Sequence, residues 1–106
     1  MNAADITNYT KQGSIPLDAI PEQQFQIVLG GQNCQLFVYQ KDESVYADLY
    51  VDDNLIFAGM LALDRVGIKP TEALNFKGQL WFEDKNGTEN PQYTGFGERW
   101  VLYYGI

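Results

Sequence analysis

Apolar side chains in this chain recur at every second position, and that period is what most limits its fold. Phe25, Ile27 and Leu29 alternate with Gln24 and Gln26. A Gly30-Gly31 dipeptide follows, suited to the positive φ angles of a tight hairpin. With a two-residue turn there, Ile27 faces Cys34 and Phe25 faces Leu36. Both pairs then lie on one apolar face, so pattern and turn demand the same register. A polar turn at 41–44 sets Val38 opposite Ala47, Leu36 opposite Leu49 and Cys34 opposite Val51. The other side of these two strands carries Gln35, Phe37 and Tyr39 beside Tyr46, Asp48 and Tyr50. A turn at Asp52-Asp53-Asn54, with Asn54 in the left-handed position, sets Leu55 opposite Val51 and Phe57 opposite Leu49. Gly59 interrupts this fourth strand and predicts a bulge or a close backbone approach.

Residues 23–64 therefore read as a four-strand antiparallel meander. Residues 65–77 are irregular, with a short helical turn expected at 71–75 capped by Thr71. Two further strands follow at 79–84 and 98–104, separated by a long loop at 85–97 of a kind that often contacts a partner. The expected fold class is all-β: a small antiparallel β-sandwich or partly open barrel. Residues 1–13 are polar and aperiodic and read as a flexible N-terminal arm; residues 14–106 read as a single β domain. Pro16 makes the segment from Ser14 to Leu17 an edge strand or extended lead-in.

With 106 residues, 45% of them apolar, the chain has enough material for a core without metal or disulfides. Its net charge of −7 offers no basic footprint for nucleic acid and repels anionic membranes. No run of 18 apolar residues is present to span a bilayer, and the first residues have no apolar signal core. Cys34 is the only cysteine and reads as a buried, inert thiol, since no histidine is present to activate it.

Motifs of chemistry are mostly absent or fail; among the fourteen carboxylates spacing leaves a glycosidase-type pair open, but nothing fixes two acids across a groove. Asp84-Lys85-Asn86-Gly87 resembles the start of a calcium loop, but its glycine sits at position four rather than six, so a β-turn accounts for it better. No Cys or His cluster suits zinc, no glycine-rich phosphate loop precedes a helix, and no serine lies in an elbow. The Asn8-Tyr9-Thr10 and Asn86-Gly87-Thr88 tripeptides match the glycosylation acceptor by chance. The expectation is a protein that is not an enzyme, with no cofactor and no metal. The aromatic residues Tyr39, Tyr46, Tyr50, Trp81 and Tyr103 have two readings: a second core layer, or an exposed contact surface. Asp48, between Tyr46 and Tyr50, argues that part of this face meets solvent or a polar partner. Tyr39, Tyr46, Asp48 and Tyr50 are thus the candidate partner interface.

In order and spacing, several of these segments resemble the plug proteins of contractile phage baseplates, the cyanophage-type baseplate plug family. The similar pieces are Ile15-Pro16-Leu17, Phe25 through Gly31, Leu36 with Val38, Tyr46 with Asp48 and Leu49, Leu55 with Gly59 and Leu61, Gly78 with Leu80, Gly87, and Val101-Leu102-Tyr103-Tyr104. The leader, residues 1–13, lies outside the similarity, and the loop 85–97 is idiosyncratic apart from Gly87. The resemblance implies a structural virion protein, synthesised in the host cytoplasm. It would act as a plug or adaptor on the tail axis near the hub, spike and tube end. Its partners would be other baseplate proteins (hub, spike, tube or wedge components), with no sequence-specific nucleic acid, no membrane, and self-association only within the assembly. The alternative is a carbohydrate-binding β-sandwich module with Trp81, Trp100 or Tyr93 as its platform. The expected burial of Trp100, which alternates with Leu102 and Tyr104, counts against it.

Overall fold

A computed structural model describes residues 5–106. Its strands are β1 (Lys11–Ile15), β2 (Glu22–Leu29), β3 (Gln32–Lys41), β4 (Ser44–Val51), β5 (Asn54–Ala62), β6 (Gln79–Asp84) and β7 (Trp100–Gly105). They form two antiparallel sheets, one in the order β2-β3-β4-β5 and the other β1-β7-β6. The meander and the two later strands are as the alternation required. The sheets stay open rather than closing into a barrel.

Local sequence explains the first sheet. Gly30 and Gly31 take φ of 57° and 77°, the backbone of a two-residue turn whose twist matches the strands it joins. Ile27 then pairs with Cys34 and Phe25 with Leu36, without interruption from Glu22 to Leu29. Leu36 pairs with Leu49 and Val38 with Ala47. Leu36, Val38, Val45 and Leu49 are fully buried. From the second sheet Leu80, Phe82, Trp100, Leu102 and Tyr104 face them, with Ile68, Phe76 and Phe96 closing the core from the connections.

The turn into β5 differs from expectation. Asp52 and Asp53 occupy the left-handed region, at φ 50° and 67°, so Val51 pairs with Asn54 and Leu55 faces Tyr50. The loop is two residues long, not three. Extra residues on β5 then shift the register, which returns Phe57 to Leu49 as expected and leaves Leu55 56% exposed. Hydrophobic demand for Phe57 is met by the bulge rather than by the turn.

The boundary expected at residue 13 falls inside β1. Gly13, Ser14 and Ile15 pair with Tyr104, Tyr103 and Leu102 of β7, and Thr10 and Ile106 exchange backbone hydrogen bonds at 2.8 and 3.0 Å. Only Ile15 of this strand is buried. Side-chain polarity misreads such a segment, because its order comes from main-chain pairing. Asp5 caps a short 3₁₀ turn at Ile6–Asn8; residues 1–4 of the expected arm lie outside the described residues. The helical turn expected at 71–75 is a β-turn instead, closed by the Ala73 amide on the Pro70 carbonyl.

β6 is buried on nearly every side chain because the connection 64–69 runs along its free edge. The Arg65 and Ile68 amides donate to the Phe82 and Leu80 carbonyls, both at 2.8 Å. The fully buried Gln79 carboxamide extends the pairing: its Oε1 accepts from the Lys69 amide at 2.6 Å and its Nε2 donates to the Lys69 carbonyl at 3.0 Å. A side-chain amide thus substitutes for a peptide group in the ladder and leaves no buried polar atom unpaired.

Candidate functional site: the outer face of the four-stranded sheet

The strand period that buries Leu36, Val38, Ala47 and Leu49 turns Gln35, Phe37, Tyr39, Tyr46, Asp48 and Tyr50 outward, where all six are half-buried. Tyr39 pairs with Tyr46 across the strands, and their rings stack with centroids 6.0 Å apart. Phe37 meets Tyr50 edge-on at 5.8 Å, a diagonal contact of the kind that aromatic side chains span on a twisted sheet. Leu61 and Leu55, opposite Tyr46 and Tyr50 on β5, are 40% and 56% exposed, and Val28 on β2 is 63% exposed. The face is an aromatic and aliphatic surface bordered by Gln24, Gln26 and Gln35.

Asp48 has a different role from the one its position suggested. Its Oδ1 accepts the Tyr39 hydroxyl at 2.8 Å and the Gly59 amide at 2.7 Å. Gly59 lies in the bulge, at φ 65°, where β4 and β5 fall out of register between Ala47 and Leu49. A bulge leaves a backbone donor without a ladder partner, and Asp48 supplies the acceptor. Asp48 Oδ1 is therefore held by its own sheet. Burial, with the Asp48 carboxylate as hydrogen-bond partner and nearby charge, pushes the Tyr39 hydroxyl up to about 12. Of the four candidate residues, Tyr39 and Asp48 are hydrogen-bonded to each other within the sheet, and Tyr46 and Tyr50 are half-buried on its outer side.

The two further aromatics do not join this layer. Trp81 and Tyr103 lie on the other sheet, 6.4 Å apart. Trp81 is 2% exposed and donates its Nε1 hydrogen to Glu83 at 3.0 Å. Lys11 and Lys85 sit over the Tyr103 ring at 4.0 and 4.9 Å and both reach the Glu83 carboxylate. Burial alone would raise the Glu83 carboxyl, but hydrogen bonds from Trp81, Lys11 and Lys85 hold it down at about 2. Trp100 is 5% exposed, as expected, and its Nε1 donates to the Glu89 carbonyl at 3.0 Å. Trp81 and Trp100 are thus too buried to form a sugar platform.

Sequence reasoning missed what holds the loop after β6. The fully buried Asp84 carboxylate takes both Nε and a terminal nitrogen of Arg99 at 2.9 Å. It also accepts the Asn86 and Glu89 amides at 2.9 and 2.8 Å. The Arg99 hydrogen bonds, with those amides, hold its carboxyl far below the usual carboxylate range. Gln40 and Gln92 tie the far end of the loop to β3, with Gln40 accepting the Tyr93 amide at 2.9 Å. The turn residues after Asp84 marked a turn; no local signal marks Arg99 as its partner.

The family model described as cyanophage baseplate Pam3 plug gp18 matches residues 13–106. The chain belongs to this family. The matched span runs from within β1 to the last residue, so it includes both sheets, the aromatic face and the Asp84 loop. No curated protein matches the chain. A baseplate plug family points to a structural protein of the virion tail that associates with other baseplate proteins, which agrees with the expectation of an assembly protein.

Proposed function

We propose that this protein is a plug or adaptor on the axis of a contractile tail baseplate, near the hub, spike and tube end, and that it docks a neighbouring baseplate protein on the outer face of its four-stranded sheet. The observation that carries this reading is the pairing of an open aromatic surface with family membership. Tyr46 and Tyr50 are its contact residues. Tyr39 and Asp48 position them, one by stacking on Tyr46 and the other by fixing the bulge beside it. Rings held by their neighbours lose little rotamer freedom on docking, and Tyr in the centre of an interface commonly contributes more than about 1 kcal/mol. The charge of −7 suits a place beside a DNA channel, since an acidic surface releases no counterions from DNA and does not hold it.

The test is incorporation. Tyr46→Ala and Tyr50→Ala are expected to give folded, soluble protein by circular dichroism that is lost from purified tails. Recovery of both variants in tails at wild-type level would move the contact surface to the loop 85–97 or the leader.

A further inference from the structure

The two sheets present four edge strands, and exposed edges are places where chains add to one another unless something blunts them. Three are blunted here. β6 is covered by the connection 64–69 through the Arg65 and Ile68 amides. β5 is broken by its register shifts and the Gly59 bulge. β1 is short, has an irregularity between Lys11 and Gly13, carries an exposed lysine and is followed by Pro16. β2 is preceded by Pro21 and opens on Glu22, but from Gln23 to Leu29 it has none of these devices. Its eight residues, EQQFQIVL, contain no glycine, proline or cation, and they pair with β3 without a shift.

The hairpin turn decides which backbone groups are free. Leu29 and Gln32 flank the two-residue turn and form a hydrogen-bonded pair, so by alternation Phe25 and Ile27 also bond to β3. The amides and carbonyls of Gln24, Gln26 and Val28 point away from it. The Asp52 amide on the Asn33 carbonyl at 3.0 Å agrees: Asn33, opposite Val28, directs its own groups to the far side.

We infer that β2 pairs with β2 of a second copy of this chain, antiparallel and centred on Gln26. In that register Gln26 meets Gln26 of the second copy and Gln24 meets Val28 on either side. All three pairs are of the outward-pointing kind, giving on the order of six interchain hydrogen bonds. On the core-facing side Phe25 meets Ile27 twice, and both are half-buried at the edge in one chain alone. A shift by two residues one way sets Val28 against Glu22 and Ile27 against Gln23, and a shift the other way runs Gln24 into Gly30 of the turn, so the centred register is the one that keeps both the apolar pairs and three outward pairs within the strand. The interface is self-complementary, as a two-fold axis requires. No charge lies between Glu22 and the end of the strand, so nothing local selects a charged partner. The net charge of −7 on each copy opposes association at long range, and added salt strengthens it.

The test uses the full chain with Cys34→Ala, so that an introduced thiol is the sole one. Residues of a hydrogen-bonded antiparallel pair have Cα atoms about 5.5 Å apart, within disulfide reach. Gln26→Cys is expected to give a covalent dimer on mild oxidation, whereas Gln35→Cys, on the central strand β3, is not. Val28→Pro removes an outward amide twice across the axis and is expected to weaken the dimer about tenfold in sedimentation equilibrium, with an unchanged circular dichroism spectrum. Tyr46→Ala leaves the dimer intact, which separates this inference from the docking face above. Three results would overturn it: a monomer at every accessible concentration, equal cross-linking through Gln35→Cys, or protection of the Gln24, Gln26 and Val28 amides from exchange only when another baseplate protein is added.

Discussion

The Asp48 carboxylate receives the Gly59 amide at 2.7 Å, so a side chain on one strand closes the backbone gap in the next. The same oxygen receives the Tyr39 hydroxyl from the opposite side. One acid therefore links β3, β4 and β5 on the outer face and sets where the aromatic rings stand.

Removing that acceptor leaves a bulge amide and a tyrosine hydroxyl unpaired at once. Asp48→Ala is expected to destabilise the protein by about 1–3 kcal/mol. Gly59→Ala, at φ 65° with open space around it, is expected to cost about 1–2 kcal/mol from backbone strain alone. Urea midpoints of both variants and of the double variant test this. Strict additivity would show that the carboxylate and the bulge conformation are independent.

Leu36 and Leu49 are paired across β3 and β4 and have no exposure. Leu36→Ala and Leu49→Ala are each expected to cost about 2–5 kcal/mol, the range for a core leucine with its residual cavity. Thermal melts suffice. Midpoints equal to wild type would invert the face assignment of the whole meander.

Trp100 is the core counterpart of the exposed tyrosines. Trp100→Ala is expected to cost about 3–5 kcal/mol, and also to release the Glu89 carbonyl. The spectrum of this variant should show loss of fold where Tyr46→Ala and Tyr50→Ala keep it. A folded Trp100→Ala protein of near-normal stability would contradict the placement of this indole in the core.

Stability should fall at both ends of the pH range. Glu83 and Asp84 have folded-state values below their ordinary ones, so the unfolded chain takes up their protons first as pH drops. Their stabilisation is complete above the ordinary carboxylate range and is lost for Glu83 between about pH 4.5 and about 2. Tyr39 shows the converse: raised from 10.0 to about 12, it stabilises the fold below pH 10, and that contribution is lost as pH climbs toward 12. Tyr39→Phe should flatten the alkaline limb and leave the acid limb unchanged. Asp84→Asn should do the reverse. Unfolding midpoints measured across the pH range decide both.

Much of the first sheet was legible because its pairings are local. Gly30-Gly31 sets one register, and alternation then assigns each side chain of β2, β3 and β4 to a face. Prediction weakened where turn chemistry has close alternatives. Asp52 and Asp53 adopt the left-handed conformation expected of Asn54, which moved Leu55 one residue along. It failed where order comes from the backbone, as in β1, whose polar side chains conceal its pairing with β7.

The sequence by itself determined which residues share a face and where the chain turns, because both follow from a two-residue period and from residues that tolerate positive φ. It also carries no histidine and a single cysteine, so it offers no Cys or His cluster of the kind that holds zinc. Only the tertiary structure decided what each polar group does. Asp48 reaches Gly59 across a strand, Asp84 holds Arg99 across a loop, and Gln79 pairs with Lys69 as a peptide would. Hydrogen bonds of this kind join residues 10 to 15 positions apart, and no local pattern specifies them. They form only where packing brings two backbones or side chains together and burial makes an unpaired group costly.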